Sequence, residues 1–312
     1  MKRGNEIPSG ILPAANLPMF PDYNIDEETY RKHLRWLMKF NIGGLVISGH
    51  AGELESLTRK ERIRVAEVAR SEIRDDLPMI VGVTGLSTRE AVECALDAKA
   101  AGASGLLVMP IPHFAFGAVD QPELILPYFE TLAEAVDLPM VIFRYNAHSG
   151  LMYSVDVLLQ LAEKVPHVVA IKDASFEYES AWVAFRNFPR KVNFLVAQGS
   201  LFLIRFMTAD GAITSFGNVV PDYITELFHL THSGQMEEAT RLFNKIRPLS
   251  DAIYKRQASM MQHWVVEKEA LVARSRFPRA VARPPFQPLR TEHIKEIHTI
   301  VEAAGLAPAR VA

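Results

Sequence analysis

Residues 167–174 read His-Val-Val-Ala-Ile-Lys-Asp-Ala, a short apolar run closed by a charged pair. The run has the length and β-branched content of a buried strand. On a regular strand Val168, Ala170 and Lys172 share one face, and Val169, Ile171 and Asp173 share the other. A lysine at the carboxyl end of a buried strand is costly as an ammonium. Burial favours the neutral amine, which is a nucleophile toward carbonyls. The residues alone leave two readings of Lys172: a Schiff-base former, or a side chain whose ammonium snorkels past the strand end into water.

Working outward from this run, similar Val-, Ile-, Leu- and Met-rich segments recur at Ile11–Phe20, Gly44–Ser48, Met79–Val83, Gly105–Met109, Met140–Tyr145, Asn193–Ala197 and Gly211–Phe216. With Val168–Lys172 they predict eight strands. Segments of helical period lie between and after them: Asp26–Phe40, Thr58–Ile73, Ser87–Ala101, Pro122–Val136, Ser154–Val165, Tyr178–Phe188, Ser200–Ala209 and Pro221–Ser233. Two open with a capping-box pattern, Thr58-Arg-Lys-Glu61 and Ser87-Thr-Arg-Glu90. Strand and helix alternating eight times, with near-continuous apolar strands, predict an α/β fold of the (β/α)₈ TIM-barrel type. The competing open doubly wound sheet usually carries a Gly-rich first turn for a nucleotide, and no such turn follows the first strand. Residues 1–233 are expected to form the barrel. Residues 234–312 are expected to add helices at Met236–Tyr254, Ala258–Ala273 and Thr291–Ala304, packed on the barrel as one structural unit.

The 312-residue chain is 49% hydrophobic and 22% charged, with a net charge of −2, so no basic field points to nucleic acid. Its one cysteine, Cys94, permits no disulfide within the chain, which fits a reducing cytoplasm. No apolar stretch approaches the roughly 20 residues of a membrane span, and no signal peptide is legible. His229 and His232, three apart on a helix, lack an evident third ligand and read as surface histidines rather than a metal pair.

In such a barrel, chemistry lies at the carboxyl ends of the strands. That rule selects Ser48-Gly-His-Ala-Gly-Glu53, Pro110-Ile-Pro-His113, Phe143-Arg-Tyr-Asn146, Lys172-Asp173, Gln198-Gly199-Ser200 and residues 215–218. Ser200 opens a helix whose N-terminus can seat an anion or simply be capped.

Three of these pieces, with a fourth motif near the C-terminal end, carry a resemblance. Gly49-His-Ala-Gly-Glu53 with Leu57-Thr58 and Glu61, Ala170-Ile-Lys-Asp173, Gly211-Ala-Ile-Thr-Ser-Phe-Gly-Asn218 and Arg283-Pro-Pro285 together resemble the dihydrodipicolinate synthase / N-acetylneuraminate lyase family of class I aldolases. The likeness runs from about Gly10 to Leu306. It implies a (β/α)₈ barrel with a helical C-terminal region, a homo-oligomer (a dimer, or a tetramer built from dimers), and no metal or organic cofactor. It implies a lyase in which Lys172 forms an iminium with pyruvate or another 2-oxo acid. The loop at His50, Ala51 and Gly52 is then expected to hold the 2-oxo acid carboxylate. Read as residues, Glu53 is either a catalytic acid or a brace for that loop that accepts backbone N–H bonds, Ser215 lines the pocket, and Ile213 packs near the Schiff base. An iminium is an electron sink, so C–C cleavage, C–C formation or loss of water becomes accessible.

The departures from the family pattern matter equally. Two hydroxyl residues usual in the loop are His50 and Ala51 here, and His50 can shuttle protons near neutral pH or simply pack in the loop. The family's relay tyrosine on the fifth strand falls on Phe143 in an ungapped match. A shifted match gives Tyr145, which faces the same way two residues on. A second relay tyrosine is absent from Pro110-Ile-Pro-His113. His148 stands where synthases place an arginine for the aldehyde's carboxylate, and Arg144 is expected to face away. Asp173 is expected to be structural, and Met260-Met261 and Trp264 to pack the appended helices. These changes favour a lyase or hydro-lyase acting on a substituted 2-oxo acid over 4-hydroxy-tetrahydrodipicolinate synthase proper. The rival reading is a non-catalytic descendant that binds a 2-oxo or sugar acid; a metal-dependent barrel hydrolase is a more distant third.

Overall fold

Eight short parallel strands circle one barrel in the computed structural model, which describes residues 8–175, 177–197, 208–254 and 263–306. They are β1 (Gly10–Pro13), β2 (Leu45–Ile47), β3 (Met79–Val83), β4 (Gly105–Val108), β5 (Met140–Arg144), β6 (Val168–Asp173), β7 (Asn193–Val196) and β8 (Gly211–Thr214). The order is β1-β8-β7-β6-β5-β4-β3-β2, with each neighbour parallel. Ala14 pairs with Val46, and the Ala15 N–H donates to the Val46 carbonyl at 2.9 Å, so β1 meets β2 and the ring closes. This is the TIM barrel that the alternation predicts.

Each strand falls inside its expected run or within a residue of it, with one marked shortening. The first run, expected to be extended to Phe20, leaves the ladder after Pro13. Past Ala15 its backbone finds other partners: the Asn16 N–H donates to the Asn218 side chain at 3.0 Å, and Pro18 has no N–H to offer. The strict alternation expected for β6 also fails at its start. Met140 pairs with Val168 but Val141 pairs with Ala170, so Val169 is an extra residue in the ladder. Val168 therefore joins the outer shell of the core, and only Ala170 and Lys172 share the inner face.

Around the strands lie α1 (Glu27–Leu37), α2 (Arg59–Glu72), α3 (Thr88–Ala100), α4 (Pro122–Ala135), α5 (Val155–Lys164), α6 (Tyr178–Arg186) and α7 (Pro221–His232). The expected helix at Ser200–Ala209 and the motif Gln198-Gly199-Ser200 lie almost wholly outside the described residues, as do Met260 and Met261. The Thr58–Glu61 capping box forms in both directions. At α3 only half of it forms: Ser87 accepts from the Glu90 N–H, while the Glu90 carboxylate accepts from Leu86 instead. Capping of this kind is worth about 1 kcal/mol per helix and fixes where the loop before it ends.

Two apolar layers follow from the strand period. Outward-facing Leu45, Ile47, Val81, Val83, Ile142 and Ile171 meet the helices. Inward-facing Leu12, Val46, Ile80, Leu107, Val141, Ala170, Leu195 and Ile213 fill the barrel. Burying such side chains contributes about 1.5–3 kcal/mol each.

Beyond the barrel come α8 (Met236–Tyr254), α9 (His263–Ala273) and α10 (Thr291–Ala303). Helix α9 is buried from His263 through Leu271, including the consecutive charges Glu267, Lys268 and Glu269. Its Trp264 and Val265 join the apolar cluster of the barrel interior. The helix therefore sits over the barrel mouth, where the strands' carboxyl ends emerge. Among the described residues no helix is long and apolar enough to cross a membrane.

Candidate active site

Lys172 projects from the carboxyl end of β6 into the barrel, with only 7% of its surface exposed. In the ladder it is level with Phe143 on β5 and Leu195 on β7. Its Nζ stands 3.7 Å from the centre of the Phe143 ring. Loss of water around the amine pushes its pKa down to about 7, against the opposing pull of the Glu55 and Glu267 carboxylates. The snorkelling reading fails on this burial. At neutral pH a large fraction of the amine carries a free lone pair, the condition for attack on a carbonyl.

The loop after β2 curls over the same mouth. Ser48 and Glu53 both hold positive φ, 51° and 56°, and short 3₁₀ turns run over His50–Gly52 and Leu54–Ser56. Such strain in two non-glycine residues persists only where the surroundings impose it. Gly82 on β3 shows one reason for the tight course: a Cβ there would sit 1.9 Å from the Ser48 carbonyl oxygen. In the first turn, the N–H groups of Gly52 and Glu53 donate to the carbonyls of Gly49 and His50. Those of His50 and Ala51 lie ahead of these bonds, at the turn's open amino end. Ala51 is buried, with its methyl group in the barrel-interior cluster.

His50, Phe143 and Tyr145 form an aromatic wall beside Lys172. Ring centres are 5.5 Å apart for His50 and Phe143, 5.1 Å for His50 and Tyr145, and 4.5 Å for Phe143 and Tyr145. Tyr145 thus shares the inner side with Phe143, as the strand period predicts. Its hydroxyl lies 3.3 Å from the Met109 sulfur, and burial, reinforced by Glu55, holds the phenol's pKa well above 10. It is a proton donor and never a standing anion. His50 Nδ1 lies 3.0 Å from Glu55 Oε1, although off the line of a straight hydrogen bond. Burial alone would raise the Glu55 carboxyl, but His50 and Lys172 hold it below its ordinary range.

On the far side, Glu267 reaches in from α9 with no exposed surface. It accepts hydrogen bonds from Ser215 Oγ at 2.6 Å, the Tyr254 hydroxyl at 3.1 Å and Asn16 Nδ2 at 3.1 Å. Asn16 also donates to the Ala51 carbonyl at 3.2 Å, which ties this network to the loop. Lys172 is therefore flanked by two carboxylates, Glu55 and Glu267, neither of which strand-end reasoning selects. A signal for Glu267 was present in the sequence: three successive charges inside the apolar helix Trp264-Val-Val-Glu-Lys-Glu-Ala-Leu271. Charges buried in such a helix need partners at hand. Glu55 gave no comparable signal.

The remaining expected residues are placed as follows. Ile213 lies in the barrel interior beside this network. Glu53 is buried with both oxygens engaged, one by the Lys268 ammonium and the other by the Arg283 N–H at 3.0 Å. It anchors the loop to the C-terminal segment. His148 is on an exposed turn, Ala147–Ser149. Arg144 faces outward and is held by Asp173 Oδ2 at 3.0 Å, Ser175 Oγ at 2.8 Å and the Tyr153 carbonyl at 2.8 Å. Asp173 is thus the structural partner of a buried guanidinium. Among the described residues no group of three or more His, Cys, Asp or Glu side chains is arranged to hold a metal ion.

Comparison with known proteins accords with this geometry. The family model described as the dihydrodipicolinate synthetase family matches residues 7–304. The chain belongs to the dihydrodipicolinate synthetase family. Within that family it is 27% identical over 303 residues to the 4-hydroxy-tetrahydrodipicolinate synthase of Methanopyrus kandleri, covering 96% of this chain and 97% of that one. It is also 27% identical over 308 residues to a probable 5-dehydro-4-deoxyglucarate dehydratase of Bradyrhizobium diazoefficiens, covering 95% and 92%. Among solved structures, the dihydrodipicolinate synthase of Aquifex aeolicus superposes with a TM-score of 0.87 at 21% identity, over 97% of this chain and 100% of that one. A prophage protein of the same family from E. coli K12, solved in complex with pyruvate, gives a TM-score of 0.85 at 23% identity, over 96% and 99%. These structural likenesses establish the shared barrel. Membership of this synthetase family places the protein among enzymes of the aldolase and lyase type.

Proposed function

We propose that the protein is a Schiff-base-forming class I lyase that acts on pyruvate or a substituted 2-oxo acid. The observation that carries this reading is the Lys172 amine, buried on the barrel's inner face with its pKa near 7. Its lone pair attacks the ketone, water leaves, and the resulting iminium withdraws electrons from the adjacent carbon. The open N–H groups of His50 and Ala51 receive the carboxylate, and Glu55 and Glu267 offset the iminium's positive charge. Tyr145 supplies the hydroxyl that Phe143 lacks. Neither Gly52 nor Glu53 offers its N–H, so their part is to shape the turn.

The relatives' names split between a synthase and a dehydratase at the same identity, so they do not choose the reaction. Arg144 bears on that choice. It is locked on the outer face, unavailable to the carboxylate of a second substrate. This supports a cleavage or dehydration over the condensation that makes 4-hydroxy-tetrahydrodipicolinate.

The test is reductive trapping. Incubation with pyruvate, 2-oxobutanoate or a 2-oxo-3-deoxy sugar acid, followed by borohydride, should add the reduced acid's mass to the peptide carrying Lys172. The reading fails if no acid of such a panel leaves an adduct there while an aldolase control is labelled in parallel.

A further inference from the structure

A buried iminium needs a route for protons, and the position above Lys172 that would hold a hydroxyl holds the Phe143 ring instead. Something else within reach has to lend and take protons. The side chains facing this point are Tyr145 just past β5, His50 and Glu55 from the loop after β2, and Glu267 from α9. Tyr145 is held as a neutral phenol, and Glu267 is committed to Ser215, Tyr254 and Asn16. His50 and Glu55 are differently placed. Side-chain exposure rises from the interior outward, 12% for His50 and 42% for Glu55, so the pair connects the pocket to bulk water. Nδ1 of His50 faces Glu55 Oε1 at 3.0 Å, which leaves Nε2 for the substrate.

We propose that His50 and Glu55 act as a carboxylate–imidazole dyad that moves protons between the bound 2-oxo acid and solvent. The proposal rests on the Schiff-base reading above and adds a role for Glu55 as the residue that positions His50. The step balances simply. Neutral Nε2 takes a proton from the carbon next to the iminium, the C–H electron pair becomes the enamine double bond, and the iminium nitrogen recovers its lone pair. The imidazolium, steadied by the Glu55 carboxylate, then gives its proton to water. A long or bent Nδ1 contact in the free enzyme is the usual state of such pairs before substrate tightens them.

Exchange of the methyl protons of pyruvate in D₂O, followed by NMR, reads this step directly, and borohydride trapping on the same samples reads Schiff-base formation. Glu55→Gln and His50→Gln should slow exchange by about 10²-fold or more, and lower trapping of pyruvate on Lys172 far less than they lower exchange. Glu55→Asp should recover part of the rate. Exchange within threefold of the parent in both glutamine variants overturns the dyad, while trapping keeps the Schiff-base reading. Equal loss of trapping and exchange in a folded Glu55→Gln protein assigns Glu55 to binding and also overturns it. Absence of an adduct in the parent with every acid of the panel removes both readings together.

Discussion

The Nζ of Lys172 and the ring of Phe143 face each other across adjacent strands, 3.7 Å apart and in direct register. The ring excludes water from one side of the amine without offering it a hydrogen bond. An ammonium in that position loses hydration that an aromatic face only partly replaces. The β5–β6 register shift at Val169 is what makes this pairing possible, because it brings Ala170 and Lys172 inward while Val168 faces the helices.

The first prediction follows from the amine's pKa of about 7. The reactive species is the free base, whose fraction rises as pH passes through that value. The rate of adduct formation with pyruvate and cyanoborohydride should therefore climb between about pH 6 and 8 and then level. An ordinary exposed lysine would keep climbing toward pH 10. A rate still rising tenfold per pH unit at pH 9 would contradict the buried-amine argument.

The same shift makes a statement about stability. In the unfolded chain the lysine has its ordinary pKa of 10.5, and in the folded chain about 7. Between those values the unfolded state binds more protons at this site, so its contribution to stability grows with pH. Below about pH 7 both states are protonated, and the full penalty of burying the charge remains, at most about 5 kcal/mol. Lys172→Met removes the charge and keeps the volume. Urea unfolding should show the variant more stable than the parent at pH 6, with the advantage shrinking as pH approaches 10. A variant less stable at pH 6 would mean that the ammonium is well solvated or well paired.

The barrel was legible because its strands are apolar on both faces and its helices carry capping signals at their starts. The pattern Thr58-Arg-Lys-Glu61 marks the beginning of α2 to the residue. Lys172 was legible because a charge at the end of such a strand has few places to go. Glu55 and Glu267 were not, for different reasons. Glu267 lies 95 positions after Lys172 in sequence, and only the way α9 packs over the mouth brings it near. Glu55 belongs to a turn whose course depends on Ser48 and Glu53 holding positive φ, which no local periodicity encodes. Fold follows from repeated local patterns, whereas the charge environment of one amine follows from tertiary packing.

Glu267 leads to the third prediction. Its carboxylate raises the Lys172 pKa against desolvation, so neutralising it should let that pKa fall further. In Glu267→Gln the acid limb of adduct formation should move to lower pH, and the positively charged iminium should lose a counter-charge. We expect trapping to persist at neutral pH and turnover to fall. Glu267→Leu should be harsher, since Ser215, Tyr254 and Asn16 lose a shared acceptor in a buried site, at a cost of about 3 kcal/mol. An unchanged pH profile in the glutamine variant would show that Glu267 is too distant or too screened to act on the amine.

Lys268, next in sequence, points the other way and pairs with Glu53, both side chains being without exposed surface. The ammonium also donates to the Val281 carbonyl at 2.6 Å, so one residue ties the loop after β2 to the segment following α9. Burial pulls the Lys268 pKa down against the attraction of Glu53, so the pair is held together at the expense of desolvating both charges. Removing either partner leaves the other charged and alone in a dry site. Glu53→Gln and Lys268→Met should each destabilise the protein by about 3–5 kcal/mol. Changing both at once to apolar residues, Glu53→Leu with Lys268→Met, should cost clearly less than the sum of the two single losses, because no orphaned charge remains. A urea-unfolding cycle over the four proteins measures the coupling directly. Additive losses would show that water reaches the pair and that the loop is anchored by its backbone alone.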